Sequence, residues 1–319
     1  MERKSFPSYL RYLAFLPLLL LGGCSGHNFW LLDPKGAVAK AELHYMILDV
    51  SFMAIVIVPT TFLLIWVVWR YRASRNATYK PKWSHSNTLE LVVWGIPLVI
   101  VGALSYFSWE GIHQVNPYNP GAVNGASDLA AAHDAPLEVD VITTDWQWMF
   151  IYPKQHIAVA NELVVPTGTK VHFRLTSTSV VNSFFIPQIV GQIYAMPGMR
   201  TKQALEVSYP GSYHGFSAAF SGPGFSWMDF KLKAVPPQQF AQWVKKIGQK
   251  NGGRLDYATF KQFAKPTVNV ADKIDYYANV QPGLFAKVVN AVRAQKLHYV
   301  TPMSMTENMH SDIFRQHSN

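Results

Sequence analysis

Two long apolar stretches without a formal charge constrain this chain more than any other feature. They cover residues 50–69 and 91–109. An α-helix rises about 1.5 Å per residue, so each stretch matches a hydrocarbon layer of about 30 Å. Both stretches end in tryptophan, which is frequent at membrane interfaces. Buried core helices are the alternative, but the polar connection between the stretches favours a transmembrane hairpin at residues 46–110, with spans at about 46–70 and 89–110.

The connection between the two stretches is basic. It contains no Asp or Glu and carries the cations Arg70, Arg72, Arg75, Lys80 and Lys82. Short loops rich in Lys and Arg remain in the cytoplasm. Both ends of the hairpin are therefore predicted to project to the exported side, together with the large C-terminal region.

The N-terminus has the pattern of a secretory signal. Basic residues precede a short apolar core at residues 12–21, which is too short to span a bilayer. Gly22 and Gly23 then precede Cys24, the one cysteine of the chain. An incidental buried cysteine is the alternative, but this position predicts a lipoprotein signal peptide at residues 1–23 and lipidation of Cys24, with palmitate among the acyl chains. Residues 24–45 would form an exported N-terminal segment.

The rest of the chain divides by composition and periodicity. Residues 111–136 are rich in Pro, Gly, Asn and Ala and predict a linker. From residue 137 to 236, apolar residues alternate with polar ones between turns that contain Pro and Gly, which predicts an antiparallel sandwich or barrel. The parity of the alternation changes between the first two strands, so a bulge or turn is expected at residues 143–145.

A helical period replaces the alternation after Pro236. Phe240, Trp243, Val244 and Ile247 share one helix face, and Gly248 is predicted to end that helix. A second helix is predicted at about residues 284–295. Residues 237–319 are therefore predicted to form a C-terminal helical extension and tail.

Three segments carry a resemblance to a known family. They are residues 145–150 (DWQWMF), 176–187 (TSTSVVNSFFIP) and 210–228 (PGSYHGFSAAFSGPGFSWM). From about residue 49 to 236, a little over half the chain, the pattern resembles subunit II of haem-copper terminal oxidases. The resemblance implies a membrane-anchored α+β chain, in which a two-helix transmembrane hairpin precedes a cupredoxin-like antiparallel β-sandwich with C-terminal helices.

The members of this family that oxidise cytochrome c bind a dinuclear copper centre. Their ligands are two cysteines, two histidines, a methionine and a glutamate carbonyl. The resemblance places six residues of this chain at the ligand positions: Asn182, Ser217, Ala219, Ser221, Phe225 and Met228. Soft copper requires thiolate, imidazole and thioether donors, and Met228 alone retains one. This resembles the quinol-oxidising branch, in particular cytochrome bo-type ubiquinol oxidase.

The branch implies where the cofactors lie. No cofactor or metal is expected on this chain, whereas haems and copper are expected on the partner subunit I, with the quinol bound elsewhere in the complex. Residues 111–319 carry eighteen Lys and Arg against thirteen Asp and Glu, about +5, which does not favour a basic cytochrome c as partner. Nothing in the sequence indicates nucleic-acid binding. Trp146 and Trp148 are expected to fill the core.

Glu90 stands at the cytoplasmic start of the second span. It resembles the family glutamate that helps protons reach the haem-copper centre, which makes it a candidate for proton uptake. A helix-start carboxylate stabilised only by the helix dipole is the alternative.

These observations predict subunit II of a proton-pumping terminal quinol oxidase of the aerobic respiratory chain. The predicted location is the bacterial inner membrane, with the C-terminal domain on the periplasmic side. The chain would be a structural or assembly subunit without its own redox centre, docked on subunit I. Two alternatives remain: an envelope lipoprotein that scaffolds another membrane complex, and a copper-bearing subunit, which would need ligands this chain does not have.

Overall fold

Two long antiparallel helices open the fold. A computed structural model describes residues 29–72, 74, 85–117, 136–249, 252–267 and 272–297. In these ranges α1 (Ala37–Arg70) and α2 (Asn87–Gln114) are long and apolar enough to cross a membrane. Gly111 of α2 faces the ring of Tyr45 on α1. Phe52 and Phe107 lie 5.9 Å apart between ring centroids. The predicted hairpin is therefore confirmed.

Both helices are longer than the predicted spans. α1 begins thirteen residues before the charge-free stretch, inside the predicted N-terminal segment 24–45. It extends there because Val38 is buried in the core of the domain that follows, with Ala37 and Ala41 packed against it. α2 continues to Gln114, inside the predicted linker 111–136. Signal residues 1–23 and most of that linker lie outside the described residues.

A β-sandwich follows the hairpin. Its ten main strands are β1 (Leu137–Thr143), β2 (Trp148–Tyr152), β3 (Ile157–Ala160), β4 (Glu162–Pro166), β5 (Val171–Ser177), β6 (Asn182–Ile186), β7 (Val190–Ala195), β8 (Thr201–Leu205), β9 (Gly211–Ser217) and β10 (Asp229–Val235). One sheet contains β3, β2, β1, β5 and β8 in that order, and the other contains β4, β10, β9, β6 and β7. The predicted sandwich is confirmed, and β7 lies at the edge of its sheet.

The strand directions are mixed rather than wholly antiparallel. β1 pairs with β5, and β4 pairs with β10, in parallel, whereas the remaining pairs among these ten strands are antiparallel. Asn161, with a φ of 56°, turns the chain from β3 into the second sheet at β4. The chain then returns to the first sheet at β5. Such a crossover brings two strands into one sheet in the same direction. The spacing of turns in the sequence does not reveal this parallel pairing.

Aromatic side chains fill the space between the sheets. Trp148, Phe184 and Phe230 are almost fully buried and their rings contact one another. The change of parity predicted after β1 is confirmed, because Trp146 adopts a φ of 80° between β1 and β2. That left-handed residue lets inward-facing side chains resume on β2.

In its described residues, 237–249, 252–267 and 272–297, the C-terminal extension contains three helices and three short strands. They are α3 (Pro237–Gln249), β11 (Arg254–Leu255), α4 (Tyr257–Phe263), β12 (Tyr276–Tyr277), β13 (Asn279–Val280) and α5 (Leu284–Arg293). β12 pairs with β3 and so adds a sixth strand to the first sheet. α4 and α5 cover the outer face of that sheet, where Met149 and Ile151 are buried. Residues 298–319 lie outside the described part.

The helix bounds correct one prediction. Gly248 does not end α3, because the helix continues to Gln249. The buried side chain of Ile247 holds the last turn on the sandwich, and packing of this kind outweighs the roughly 1 kcal/mol cost of one glycine in a helix. α5 matches the predicted second helix to within two residues. α4 was not predicted, since its seven residues are too few for a periodic pattern.

Candidate functional site

Three loops meet at one end of the sandwich. We call this end the tip; it consists of residues 143–147, 178–182 and 218–228. The pairing of β6 with β9 sets Phe184 opposite Ser217 and so brings the second and third loops together. The six positions that the resemblance aligned with copper ligands all lie in or beside the tip.

Asn182 and Ser217 form the centre of a buried hydrogen-bond network. The Ser217 hydroxyl lies 3.4 Å from Asn182 Oδ1 and 3.3 Å from the Ala219 carbonyl oxygen. It accepts a hydrogen bond from the Ser183 backbone N–H at 3.2 Å. Asn182 Nδ2 donates to Thr143 Oγ1 at 3.1 Å. Because these polar groups satisfy one another, they can remain in the interior without a metal.

Backbone hydrogen bonds join two further ligand-aligned positions, Met228 and Phe225, to this network. The Ser217 N–H donates to the Met228 carbonyl oxygen at 3.4 Å, and the Met228 N–H donates to the Phe225 carbonyl oxygen at 3.1 Å. Phe225 begins a short 3-10 helix, Phe225–Trp227. The Met228 side chain is fully buried in the apolar core. Its thioether therefore packs with the hydrophobic residues of the sandwich.

Trp146 closes the tip from the side of β2. Its indole N–H donates to the Ser221 carbonyl oxygen at 3.0 Å. Its ring fills the space beside Gly222 and Gly224, where a Cβ atom on either glycine would overlap with it. Trp148 is fully buried and its indole N–H donates to the Met228 carbonyl oxygen at 3.1 Å. Both tryptophans thus occupy the core, as the sequence predicted, and both bind the loop after β9.

The side chains at these positions do not fit a dinuclear copper site. They offer hydroxyl oxygens, one amide and one thioether, whereas soft copper selects thiolate and imidazole donors. Ser217 and Asn182 direct their polar atoms at each other. Within the described ranges, no group of three His, Cys, Asp or Glu side chains is close enough to hold a metal ion.

Two acidic residues of the tip region were missed by the sequence analysis. Asp145 is buried and accepts a hydrogen bond from the Ser179 hydroxyl. Burial raises the pKa of Asp229, the first residue of β10, and His214, with Nε2 at 3.7 Å from the carboxylate, opposes that rise. A charged residue within an otherwise apolar stretch was the available signal for Asp145. No sequence signal pairs it with Ser179, thirty-four residues away.

The C-terminal extension also reaches the tip. Gln147 Nε2 donates to Thr267 Oγ1 at 2.6 Å. The Thr267 N–H donates to the Asp145 carbonyl oxygen at 3.2 Å. The loop beside Trp146 is therefore held from the outside by residues more than a hundred positions later in the chain, a contact that the sequence analysis did not predict.

Glu90 belongs to a separate site at the start of α2. Its side chain is about half exposed, and Oε1 lies 2.6 Å from Nδ1 of His85. Ser86 caps the helix, accepting a hydrogen bond from the Leu89 N–H at 3.4 Å. The structure thus adds His85, which the sequence analysis did not single out. Cys24, the predicted lipidation site, lies outside the described residues.

Comparisons with known proteins agree with this architecture. The family model described as "Cytochrome C oxidase subunit II, periplasmic domain" matches residues 134–235. The model described as "COX Aromatic Rich Motif" matches residues 249–293. These matches cover the sandwich and most of the C-terminal extension.

Relatives match across most of the chain. "Cytochrome bo(3) ubiquinol oxidase subunit 2" of Pseudomonas putida is 40% identical over 291 residues, which are 91% of this chain and 88% of the relative. "Ubiquinol oxidase subunit 2" of Acetobacter aceti is 39% identical over 290 residues, 91% and 90% of the two chains.

The chain belongs to the quinol oxidase subunit II family.

Membership assigns this subunit II to an oxidoreductase complex of the inner membrane, where other oxidase subunits are its partners. Among solved structures, the periplasmic domain of cytochrome oxidase subunit II from Bradyrhizobium japonicum is similar, with 22% identity and a TM-score of 0.34. That similarity covers 35% of this chain and 94% of the other.

Proposed function

We propose that this subunit II is the structural partner of the haem-bearing catalytic subunit in a proton-pumping quinol oxidase and carries no redox centre of its own. Haems, copper and quinol would bind elsewhere in the complex, and cytochrome c would not be a partner. The observation that carries this proposal is the network around Ser217 and Asn182. Two positions that would have to supply soft ligands are occupied by hard donors that already bond to each other.

The experiment is a metal and haem analysis of the oxidase isolated through a tag on this subunit. We expect haems and copper in proportion to the catalytic subunit, and no stoichiometric copper on the full-length subunit purified alone. A dinuclear copper signal from the isolated subunit would overturn the proposal. If no haem-bearing protein accompanied the tagged chain, a scaffold for another envelope complex would be the better explanation.

The tip is the surface proposed to dock on the catalytic subunit. Phe220 is 79% exposed and Val181 43% exposed, and the ring of Phe220 contacts that of Phe225. Aromatic residues such as phenylalanine are enriched in the cores of protein interfaces. We therefore expect the catalytic subunit to cover them.

The direction of the strands supports this docking surface. Gly36, immediately before α1, contacts Ile189, and Glu42, nearly two turns into the helix, contacts Gly191. β7 therefore runs with α1, towards the apolar stretch of the helix. It continues to Ala195, which pairs with Asn182 at the tip. We infer that the tip lies on the membrane side of the sandwich, within reach of the catalytic subunit.

The docking surface can be tested by replacing one exposed aromatic residue. We expect Phe220→Ser to reduce co-purification of the haem-bearing subunit several-fold while the subunit still folds. Tyr209→Ser is the control, because Tyr209 is an exposed aromatic residue, 53% exposed, that lies away from the tip. Equal retention of the catalytic subunit by both variants would contradict docking through the tip.

The membrane arrangement is proposed from sequence signals. Cys24 would carry the lipid anchor, and the basic connection between α1 and α2 would stay in the cytoplasm. The sandwich would then face the periplasm. Metabolic labelling with palmitate, compared between the native chain and Cys24→Ser, tests the anchor: label that persists in the variant contradicts it.

Glu90 is proposed to take up protons at the cytoplasmic surface. It is exposed, it stands in the first turn of α2, and His85 lies within hydrogen-bonding distance. A carboxylate and an imidazole in contact can pass a proton between them. We expect Glu90→Ala to lower turnover and coupled proton uptake several-fold in vesicles, with Glu90→Asp retaining more of both. Glu110→Ala, at the other end of α2, is the control, and unchanged uptake in Glu90→Ala would remove Glu90 from the mechanism.

A further inference from the structure

A carboxylate of the hairpin reaches the edge of the sandwich. Glu42 lies in the part of α1 that precedes the charge-free stretch. Its side chain is half-buried and accepts a hydrogen bond from the backbone N–H of Gly191 on β7. β7 is the edge strand of its sheet, and an edge strand leaves backbone donors without a strand partner. Glu42 supplies an acceptor for one of them.

Glycine at position 191 makes this contact sterically possible. A Cβ atom there would overlap with the Glu42 carboxylate. The backbone of Gly191 has no positive φ, so conformational freedom does not explain the glycine. A glycine is needed at position 191 because the Glu42 carboxylate approaches the backbone closely there.

Backbone contacts just before α1 also attach the hairpin to the sandwich, but they lie at the turn before β7 and not on the strand itself. The N–H groups of Lys35 and Gly36 donate to the Gln188 carbonyl oxygen at 2.7 and 3.1 Å. Gly36 also forms a β-bridge with Val207. These bonds hold the start of α1 at the turn before β7. Glu42 adds a point of attachment on β7 nearly two helical turns further along α1. On the side of α2, the Ala204 N–H donates to the Pro117 carbonyl oxygen at 3.1 Å. Separated points of attachment fix an angle where one point would leave a pivot.

We propose that Glu42 is a positioning residue that sets the angle of the sandwich on the hairpin and thereby seats the tip on the catalytic subunit. The segment after α2 contacts β8 through the Pro117 carbonyl oxygen, whereas Glu42 holds β7, and more than twenty residues separate Gln114 from β1. A carboxylate held away from water requires a hydrogen-bond donor, and Gly191 provides it only when the edge of β7 lies against α1. The contact therefore selects one arrangement of the two parts. The seating of the tip, though not the angle itself, rests on the docking proposed above.

The test compares four variants of the subunit with the native chain in the assembled oxidase. Glu42→Gln keeps an oxygen acceptor for the Gly191 N–H, whereas Glu42→Ala removes it. Gly191→Ala places a methyl group against the carboxylate. The double variant Glu42→Ala with Gly191→Ala has room for that methyl group. Spin labels at positions 47 on α1 and 202 on β8, which are both exposed, report the distance between hairpin and sandwich.

We expect one narrow distance distribution for the native chain and for Glu42→Gln, and a broad or shifted one for Glu42→Ala. Turnover per haem should fall several-fold in Glu42→Ala and recover in Glu42→Gln. Gly191→Ala should broaden the distribution in the native background and have no further effect when residue 42 is alanine. Such non-additivity is the signature of a direct contact.

The outcomes separate this inference from the docking proposal. If Glu42→Ala keeps the native distance distribution, or if Gly191→Ala acts equally with and without Glu42, the positioning role is wrong. If the distance responds to Glu42 as expected but Phe220→Ser does not weaken the complex, the angle is set by Glu42 and docking through the tip is wrong.

Discussion

The substitution Trp146→Phe tests whether the tip depends on a tryptophan for stability or for electron transfer. The native indole N–H donates to the Ser221 carbonyl oxygen at 3.0 Å, and the side chain is 3% exposed. Phenylalanine keeps an aromatic ring but loses that hydrogen bond, which contributes about 1 kcal/mol. The smaller ring also leaves a space beside Gly222 and Gly224 that costs about 1 kcal/mol more. We expect the free energy of unfolding to fall by about 2 kcal/mol.

A loss of this size is measurable as a change of melting temperature. For a domain of about 150 residues, 1 kcal/mol corresponds to about 2–4 °C, so the sandwich should melt about 4–8 °C lower. The assay is near-UV circular dichroism of the full-length subunit in detergent, recorded at one scan rate for all variants. Trp227→Phe is the matched control. Trp227 lies on the adjacent 3-10 helix, and within the described residues no indole hydrogen bond is found for it.

Turnover of the assembled oxidase decides between the two roles. If Trp146 only supports the fold, quinol oxidation per haem should be unchanged at a temperature well below the melting point. Lost turnover in a variant that remains folded and assembled would refute this reasoning, because it would place Trp146 on an electron path. A melting temperature equal to that of the native chain would refute the stability argument.

Two further substitutions test packing and pH dependence. Gly215→Ala should destabilise the sandwich by about 1–3 kcal/mol in the same melts, since a Cβ atom there would overlap with the Phe230 ring; Gly248→Ala, which meets open space, should not destabilise it. The hydrogen bond from the Thr259 N–H to Asp256 lowers the pKa of that carboxyl. At a pH above the ordinary pKa of an aspartate, the ionised Asp256 side chain therefore stabilises α4. That stabilisation is lost as the pH falls through the lowered pKa of Asp256. Hydrogen exchange of α4 should be faster in Asp256→Ala at pH 7, with the difference closing at low pH; a difference independent of pH would contradict the assignment.

The sequence predicted the parts of the fold that depend on local periodicity. The two apolar stretches, the alternating strands and the helix that follows Pro236 each bury one face, and the spacing of apolar residues reports that face directly. α4 and the end of α3 were not predicted correctly, because a seven-residue helix and a helix end are decided by what they pack against. The parallel pairing of β1 with β5 was missed for a similar reason, since it follows from a crossover between sheets.

The candidate site divides in the same way. Residue types at six aligned positions were sufficient to argue from the sequence that soft metal ligands are missing. The sequence could not show that Ser217 and Asn182 bond to each other, or that Asp145 lies against Ser179, because these partners are more than thirty residues apart. Contacts over such separations depend on which strands become neighbours.

The amino-acid sequence by itself determined that this chain has a membrane hairpin, a sandwich of short strands and a set of donors unsuited to soft copper. Each of these follows from side-chain chemistry or from spacing along one element. Only the tertiary structure decided that Glu42 meets Gly191, that β7 runs along α1 to the tip and that the C-terminal extension supports the loop beside Trp146. These contacts join elements distant in the chain, and the packing that brings them together is a property of the whole fold.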